Sequence, residues 1–595
     1  MTVLASSVLV LSLGWSFGVL ESSPEAKADG PTLAAVESSA AEVRPLDWYL
    51  ANWQQAPVDT FVQVCFAEGT PPDVVEFFRD LTENPASPRY QLTGRWPGTQ
   101  GSNLTLTWSF VPDGLSIPSG IGEGTSASDL FARLDSQFAA QGGRATWINR
   151  FQQCFDRWSQ LTGVTYTRIT VGGNDWDDGA AWGSSGAAGL RGDVRICMKI
   201  IDGFNGVLAY NNFPSSGGDM VLDRSESWGG TGNQNRFLRN TIMHEHGHGL
   251  GILHVCPVSG TKLMEPFLNT SFDGLRHDDI RAGQRHYGDQ REDDNSAGAA
   301  SVAGVVDVGS PVTLGTLPAP PAGTSPTNSS TLSIDANAEQ DWYRFSITGP
   351  RVATVVVTPQ GLSSYDSCQQ TGSCPSGCPV NSLAAANLNV QLVDTNGTTV
   401  LATADTQASG LAETISGITL PAAGDYFVRV YEGDVPTTTQ LYTLNISVTN
   451  IPCEDPTIDP IADDASICSI AYVSSPPVAS GTSPLTWSLG GTPPPGMTID
   501  SGSGVISWPN PVASATPYSI TVEADSNCGS GSDSVVFQLT VKPGDFTGDG
   551  LVTDIDVPMF VDHLLEVVAT TPCAADVNLD GFNDALDVQA FIDSI

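Results

Sequence analysis

From residue 101 to about 288 the apolar positions follow two different periods. In LTLTWSF (104–110) every second residue is apolar, as in a half-buried strand, whereas Leu130, Phe131, Leu134 and Phe138 fall on one face of a helix, with Ser128 as its expected cap. A second helical stripe carries Trp147, Phe151, Phe155 and Trp158, and VTYTRIT and DVRICMKI then read as strands. This mixture predicts one compact α+β unit. Beyond Asp289 the texture changes to Thr, Ser, Gly, Pro and Val. Short alternating runs separated by turn residues, such as DWYRFSI (341–347), GDYFVRVY (424–431) and PPGMTIDSGSGVISW (494–508), predict two β-sandwiches.

The N-terminal stretch VLASSVLVLSLGWSFGVL (3–20), with Ala26-Lys27-Ala28 after it, predicts an export signal. No basic residue precedes the apolar run, so a plain buried helix is the alternative. No later stretch is apolar for long enough to span a bilayer. The expected division is 1–28 signal, 29–100 N-terminal region and candidate pro-region, 101–290 α+β domain, 291–450 and 451–543 sandwiches, and 544–595 a terminal repeat.

That repeat is a tandem one. DFTGDGLVTDID (545–556) recurs as DVNLDGFNDALD (576–587). Each places oxygen-bearing groups at loop positions 1, 3, 5, 7, 9 and 12 with glycine at 6, the pattern of hard oxygen ligands around calcium. The candidate ligands are Asp545, Thr547, Asp549, the Leu551 carbonyl, Thr553 and Asp556, then Asp576, Asn578, Asp580, the Phe582 carbonyl, Asp584 and Asp587. Matching stripes follow, Val557, Phe560, Val561 and Leu564 against Val588, Phe591, Ile592 and Ile595, which the two halves are expected to bury against each other.

Charge narrows the partners. With 65 acidic and 25 basic residues, a formal net charge of -40 disfavours nucleic acid and anionic membrane and suits a protein that binds cations. The 11 cysteines lack zinc-ribbon spacing and fit disulfides in an oxidising compartment, with one left over. Cys368, Cys374 and Cys378 are expected to be disulfide staples, and Cys65 a disulfide partner.

The strongest chemistry lies in HEHGHGLGILH (244–254). On a helix His244 and His248 project from one face, and Gly251 can end that helix in a left-handed conformation, so that His254 returns to the same ion. Three neutral imidazoles suit one zinc with a fourth position open to water, and Glu245 is placed to take a proton from that water. A His-rich surface helix that merely sequesters metal would need neither Gly251 nor Met264. His246 is off the ligand positions and is expected to face solvent or pack.

This HExxHxxGxxH string resembles the signature of the metzincin zinc endopeptidases, and Leu263-Met264-Glu265-Pro266 resembles their methionine turn. Within them the chain is most similar to the matrixins, through GVLAYNNFPSSGGDMVLDRSESW (206–228) and HDDIRAGQRHYG (277–288). The resemblance implies a twisted sheet with an active-site helix and a structural calcium near Asp202, Asp223 and Glu226. It also implies that the family's second zinc is missing, because Tyr210 and Val221 stand where its histidines would. The family's cysteine-bearing propeptide motif is not recognisable around Cys65. The first sandwich resembles the bacterial pre-peptidase C-terminal domain, the second the immunoglobulin-like domains of bacterial surface proteins, and the repeat a type I dockerin with EF-hand-like loops, whose family binds calcium and docks onto cohesin.

Together these features predict a secreted multi-domain zinc endopeptidase acting on protein or peptide substrates, with one catalytic zinc and two calcium ions in the repeat. Its C-terminal modules would attach it to a cohesin-like or cell-surface partner, with no nucleic acid and no membrane span. The alternative is a non-catalytic, calcium-dependent adhesion or scaffold protein that retains an idle metzincin fold.

Overall fold

A computed structural model describes residues 44–53, 62–82, 92–336, 339–370, 374, 376–433, 438–526, 531–565 and 572–595. The expected export signal lies outside them. Among the described residues no helix is long and apolar enough to cross a membrane. Strands predominate, and helices concentrate in the first half of the chain and at its end.

The first unit is built on a six-stranded sheet of β1 (Val62–Phe66), β2 (Leu104–Phe110), β3 (Val164–Arg168), β4 (Val194–Lys199), β5 (Val207–Asn212) and β6 (Met220–Asp223), in the order β1-β5-β6-β4-β2-β3. The pairs β6–β4, β4–β2 and β2–β3 are parallel, whereas β5 runs antiparallel to both β6 and β1. Strand β1 comes from the segment expected to precede this domain, yet it completes the sheet. Helices α1 (Leu46–Asn52) and α2 (Pro72–Thr82) flank it, and Tyr49 and Phe78 share a buried cluster with Val62, Val64 and Phe66.

Helices α3 (Leu130–Phe138) and α4 (Arg144–Leu161) form where the stripes predicted them, and all eight stripe residues are buried. They join Trp108 and Phe110 of β2, with Trp108 stacked 4.6 Å from Phe155. The cap differs from expectation. Asp129 is the N-cap residue rather than Ser128, and the free amides of Phe131 and Ala132 donate to Asp113, 18 and 19 residues earlier. A carboxylate stabilises a helix start through space as well as a local hydroxyl does. Helix α5 (Arg236–Gly249) packs on α4, fixed by the Trp158 indole donating to the Met243 carbonyl and by a buried Arg239–Asp273 pair, and α6 (His277–Tyr287) closes the unit.

Behind it, two five-stranded sheets face each other, and side chains in strands such as Arg351–Gln360 alternate between buried and half-buried. This sandwich is joined to the first unit by a polar seam. His277 bonds Ser329 and Ser382 through its two ring nitrogens at 2.9 and 2.7 Å, Ser367 donates to Asp278 at 2.8 Å, and Arg157 reaches the Pro318 carbonyl at 2.7 Å. At the same junction Asp289, Glu292, Asp294, Asp335, Glu339 and Asp341 crowd together. Glu292, Glu339 and Asp341 bring oxygens within 4.8 Å of one another, and burial pushes Asp289 up to about 7 and Asp294 to about 8.

The second sandwich packs Trp487 and Trp508 in its core, and that core runs on into the terminal repeat through Phe546, Phe560 and Phe591. Helices α7 (Val557–Leu564) and α8 (Ala585–Ser594) meet through Phe560 and Phe591, stacked at 4.0 Å. Val557 and Leu564 pack against the same cluster, whereas Val561 is 41 % exposed, Ile592 58 % and Ile595 55 %. The repeat also packs on the sandwich, to which Cys468–Cys573 ties it.

The cysteines also depart from expectation. Disulfides join Cys256–Cys374, Cys368–Cys378 and Cys468–Cys573, and Cys453 is disulfide-bonded as well. The staple expected of Cys368, Cys374 and Cys378 thus reaches out of its loop to Cys256. Cys65, Cys154 and Cys197 are free and buried, each on a different core element, so Cys65 is not a disulfide partner.

Candidate metal centre and cleft

Helix α5 carries His244, Glu245 and His248, all buried. It stops at Gly249, after which Gly251 takes φ +90° and Ile252 N–H donates back to the Gly247 carbonyl at 2.9 Å. A Cβ on Gly251 would lie 2.6 Å from the Gly94 carbonyl, so both backbone conformation and space demand glycine there. The reversal brings His254 back to the helix.

The three Nε2 atoms converge: His244 to His248 is 3.1 Å, and each lies 3.2 Å from His254. Their Nδ1 atoms face acceptors, His244 the Leu263 carbonyl at 2.7 Å, His248 the Ile252 carbonyl at 2.6 Å and His254 the Gln370 Oε1 at 3.0 Å. Each Nδ1 must therefore carry the proton, which leaves three Nε2 lone pairs aimed at one another. Such an arrangement is repulsive unless a cation sits between them. Tetrahedral zinc with bonds of about 2.0–2.1 Å would space its nitrogens about 3.3 Å apart, close to what is found. Burial lowers His244 to about 4 and His248 and His254 well below their ordinary value, so all three are neutral ligands at pH 7.

Glu245 is fully buried, and neither carboxylate oxygen has a hydrogen-bond partner among the described residues. Burial pushes its pKa well above the usual range, and the charge of a divalent cation beside it would act in the opposite direction. Met264 lies under the helix: a Cβ on Gly247 would come within 2.5 Å of its Sδ. Asp279 of α6 holds this turn by accepting from the amides of Leu263 (2.8 Å) and Met264 (3.1 Å). His246 packs rather than facing solvent, bonding the Tyr166 hydroxyl at 2.6 Å.

Strand β1 fills the groove beside these groups. One edge pairs antiparallel with β5, Cys65 opposite Ala209, and on the other edge Phe66 N–H donates to Pro266 while Leu268 N–H donates to Phe66. Gln63 Oε1 accepts from the His254 amide at 2.9 Å. The Cys65 sulfur, a ring nitrogen of His244 and an oxygen of Glu245 all lie within 4.8 Å of one another. The sequence reading missed Cys65 and Gln63 as neighbours of the histidines, and Gln370 too. Gln370 follows His254 by 116 residues, and no local pattern marks it.

Other candidate ligands are placed differently. Asp223 accepts from the amides of Ile201, Asp202, Gly203 and Ser225, Asp202 from Tyr49 and Val207 N–H on Oδ2, with its Oδ1 buried and unpartnered, and Glu226 from Asn205 N–H. Tyr210 donates to Glu123, and Val221 is buried in the sheet. In the terminal loops Asp545 accepts from Gly548 and Gly550, Asp556 from Phe546, Thr547 and Thr553, Asp576 from Asp580 and Gly581, and Asp587 from Val577, Asn578 and Asp584. Asp549 accepts from Leu551 N–H and Asp580 from Phe582 N–H, with Leu551 and Phe582 exposed. Thr553 Oγ1 accepts from Ile555 N–H and Asp584 from Leu586 N–H.

Family models match three segments of the chain. Residues 136–288 match the Matrixin family, 455–542 an Ig domain and 543–595 the Dockerin type I domain. Stromelysin-3 of Mus musculus is 32% identical over 136 residues, which cover 22% of this chain and 25% of that protein. Interstitial collagenase of Bos taurus is 33% identical over 149 residues, 24% of this chain and 29% of that one. The chain thus spans between a quarter and a third of the length of these relatives. Among solved structures, the pre-peptidase C-terminal domain of a Bacillus anthracis collagenase overlaps 25% of this chain and 96% of its own, at 12% identity and a TM-score of 0.14. Mouse cadherin-23 EC22–24 overlaps 33% and 67%, at 14% identity and a TM-score of 0.15. Residues 136–288 are a matrixin domain of the metzincin type, carried in one chain with an Ig domain and a type I dockerin domain.

Proposed function

We propose that this chain is a secreted zinc endopeptidase whose cleft is closed by its own N-terminal strand. The observation that carries the reading is the convergence of three Nε2 lone pairs beside the unpartnered carboxylate of Glu245. His244, His248 and His254 would hold the ion. When bound, zinc supplies a lowered pKa for an attacking water and polarisation of the scissile carbonyl. Glu245 accepts the proton of that water on its carboxylate and later gives it to the leaving amine, so it begins and ends each turnover in the same state.

A substrate takes the place of β1. An extended peptide adds a strand between β5 and residues 266–268, and its main chain makes the hydrogen bonds that β1 makes in the folded chain. Residues 29–100 are then an inhibitory segment, held by that ladder and by Cys65 beside His244 and Glu245. The disulfides support an oxidising, extracytoplasmic location. The terminal repeat binds two calcium ions and docks onto a cohesin-type partner, which keeps the peptidase at a surface or assembly.

The test is casein digestion by the purified, processed protein, with and without a zinc chelator. Chelator-sensitive cleavage that zinc restores is expected. A protein that binds zinc at no more than trace stoichiometry and leaves casein intact refutes the reading and favours an adhesion protein.

A further inference from the structure

The three ligand imidazoles are not held alike. His244 and His248 donate to backbone carbonyls of their own domain, Leu263 and Ile252, which no side-chain substitution removes. His254 donates instead to a side chain of the sandwich that follows, Gln370, at 3.0 Å. We propose that Gln370 is a positioning residue of the metal centre, and that the first sandwich is thereby a working part of the peptidase rather than an appended module.

Three features make this contact a built one. Gln370 is 3 % exposed, so water does not compete for His254 Nδ1. Its backbone is fastened to the same loop: β7 (Val255–Cys256) pairs antiparallel with β8 (Cys368–Gln369), Cys368 opposite Cys256, and Gln370 N–H donates to the His254 carbonyl at 3.4 Å. The Cys256–Cys374 disulfide then links the two domains covalently two residues beyond the third ligand. The polar seam of His277, Asp278 and Arg157 keeps the sandwich from swinging away.

The chemistry follows from where the proton sits. An imidazole binds metal through Nε2 only while Nδ1 keeps its hydrogen, and an acceptor at Nδ1 fixes both tautomer and ring orientation and makes Nε2 more basic. His254 lies on the loop after the helix, so it lacks the helical restraint that orients His244 and His248. Without the Gln370 oxygen, Nδ1–H would be buried and unpaired, a cost that favours rotating the ring away from the ion.

This inference rests on the zinc-centre reading above, and the experiment separates the two. In the full chain, Gln370→Met keeps the length and shape of the side chain but removes the acceptor, whereas Gln370→Glu keeps an acceptor oxygen. Zinc affinity is measured by competition with a chromophoric chelator, and the cobalt-loaded proteins are compared by visible absorption. Gln370→Met should bind zinc about 10- to 100-fold more weakly and shift the cobalt bands, with Gln370→Glu staying near wild type. Gln370→Asn, which withdraws the oxygen by one methylene, should resemble Gln370→Met and serves if that variant does not fold. If wild type binds one zinc that His254→Ala loses, yet Gln370→Met and Gln370→Asn bind it as tightly as wild type, the positioning role is overturned and the zinc centre stands. Equal loss in Gln370→Met and Gln370→Glu also overturns it, since packing and not the acceptor would then matter. A wild-type chain that binds no zinc overturns both.

Discussion

Replacing Glu245 with glutamine changes one atom at the point where the proposed chemistry depends on a proton. The amide has the shape of the carboxylate, whose oxygens make no close hydrogen bond in the cavity, although the Cys65 backbone amide favours the charged form. The fold should therefore be unaffected or slightly steadier, since a buried ionisable group has been made neutral. Zinc should remain at one per chain, because the three imidazoles are untouched. Turnover should not survive. A positioned general base contributes about 10²- to 10⁴-fold, or about 2.7–5.4 kcal/mol at 1.36 kcal/mol per decade. Among the described residues of the processed enzyme no neighbour can stand in, because the segment carrying Cys65 has left and the three Nε2 lone pairs are committed to the ion. The assay is kcat for casein or a peptide on processed protein, alongside metal analysis. A zinc-loaded Glu245→Gln enzyme that turns over at the wild-type rate would refute the assignment, whereas a dead enzyme that has also lost zinc would point to the ligand set instead.

Cys65→Ser should raise cleavage by the unprocessed chain roughly tenfold if the sulfur contributes about 1.4 kcal/mol to keeping β1 in the cleft. Peptide hydrolysis before any processing measures it, and an unchanged rate would leave the restraint to the hydrogen bonds and packing of β1. Asp294 (about 8) keeps a proton in the fold that it releases when unfolded, so its contribution to stability should fall as pH rises from 6.5 to 8, by at most about 1.4 kcal/mol per pH unit, whereas that of Asp289 (about 7) falls mainly below pH 7. In that window the buried histidines are neutral, and Asp294→Asn should flatten the fall in melting temperature recorded in chelator; an equal slope in both proteins would contradict it. Phe591→Ala removes one ring of the 4.0 Å stack with Phe560 and should cost the terminal module about 3–5 kcal/mol, read from its denaturant unfolding with calcium present.

How much of this was legible in the sequence follows from the range of the forces involved. The strand at 104–110, the stripes of α3 and α4, the helix break at Gly251 and the return of His254 could all be read, because each is set by residues within a few positions of one another. The cap of α3 could not, because Asp113 acts from across a turn. Nor could the place of Cys65: free and paired cysteines look the same in a sequence, and the count of 11 suggested pairing. The stripes of the repeat were read as apolar and do meet through Phe560 and Phe591, but their packing against the sandwich was not foreseen, since periodicity reports that a face is apolar and not all that covers it. Gln370 lay furthest out of reach, in a loop whose composition suggested only disulfides.

The bond between Cys468 and Cys573 has a mechanical consequence. Together with the shared aromatic packing around Phe546 and Phe591, it removes the swivel that usually separates a terminal adaptor from its neighbour. Whatever grips the exposed face of α7 and α8 also sets the bearing of the sandwich before it, so that load and orientation pass through the joint as through a rigid bracket.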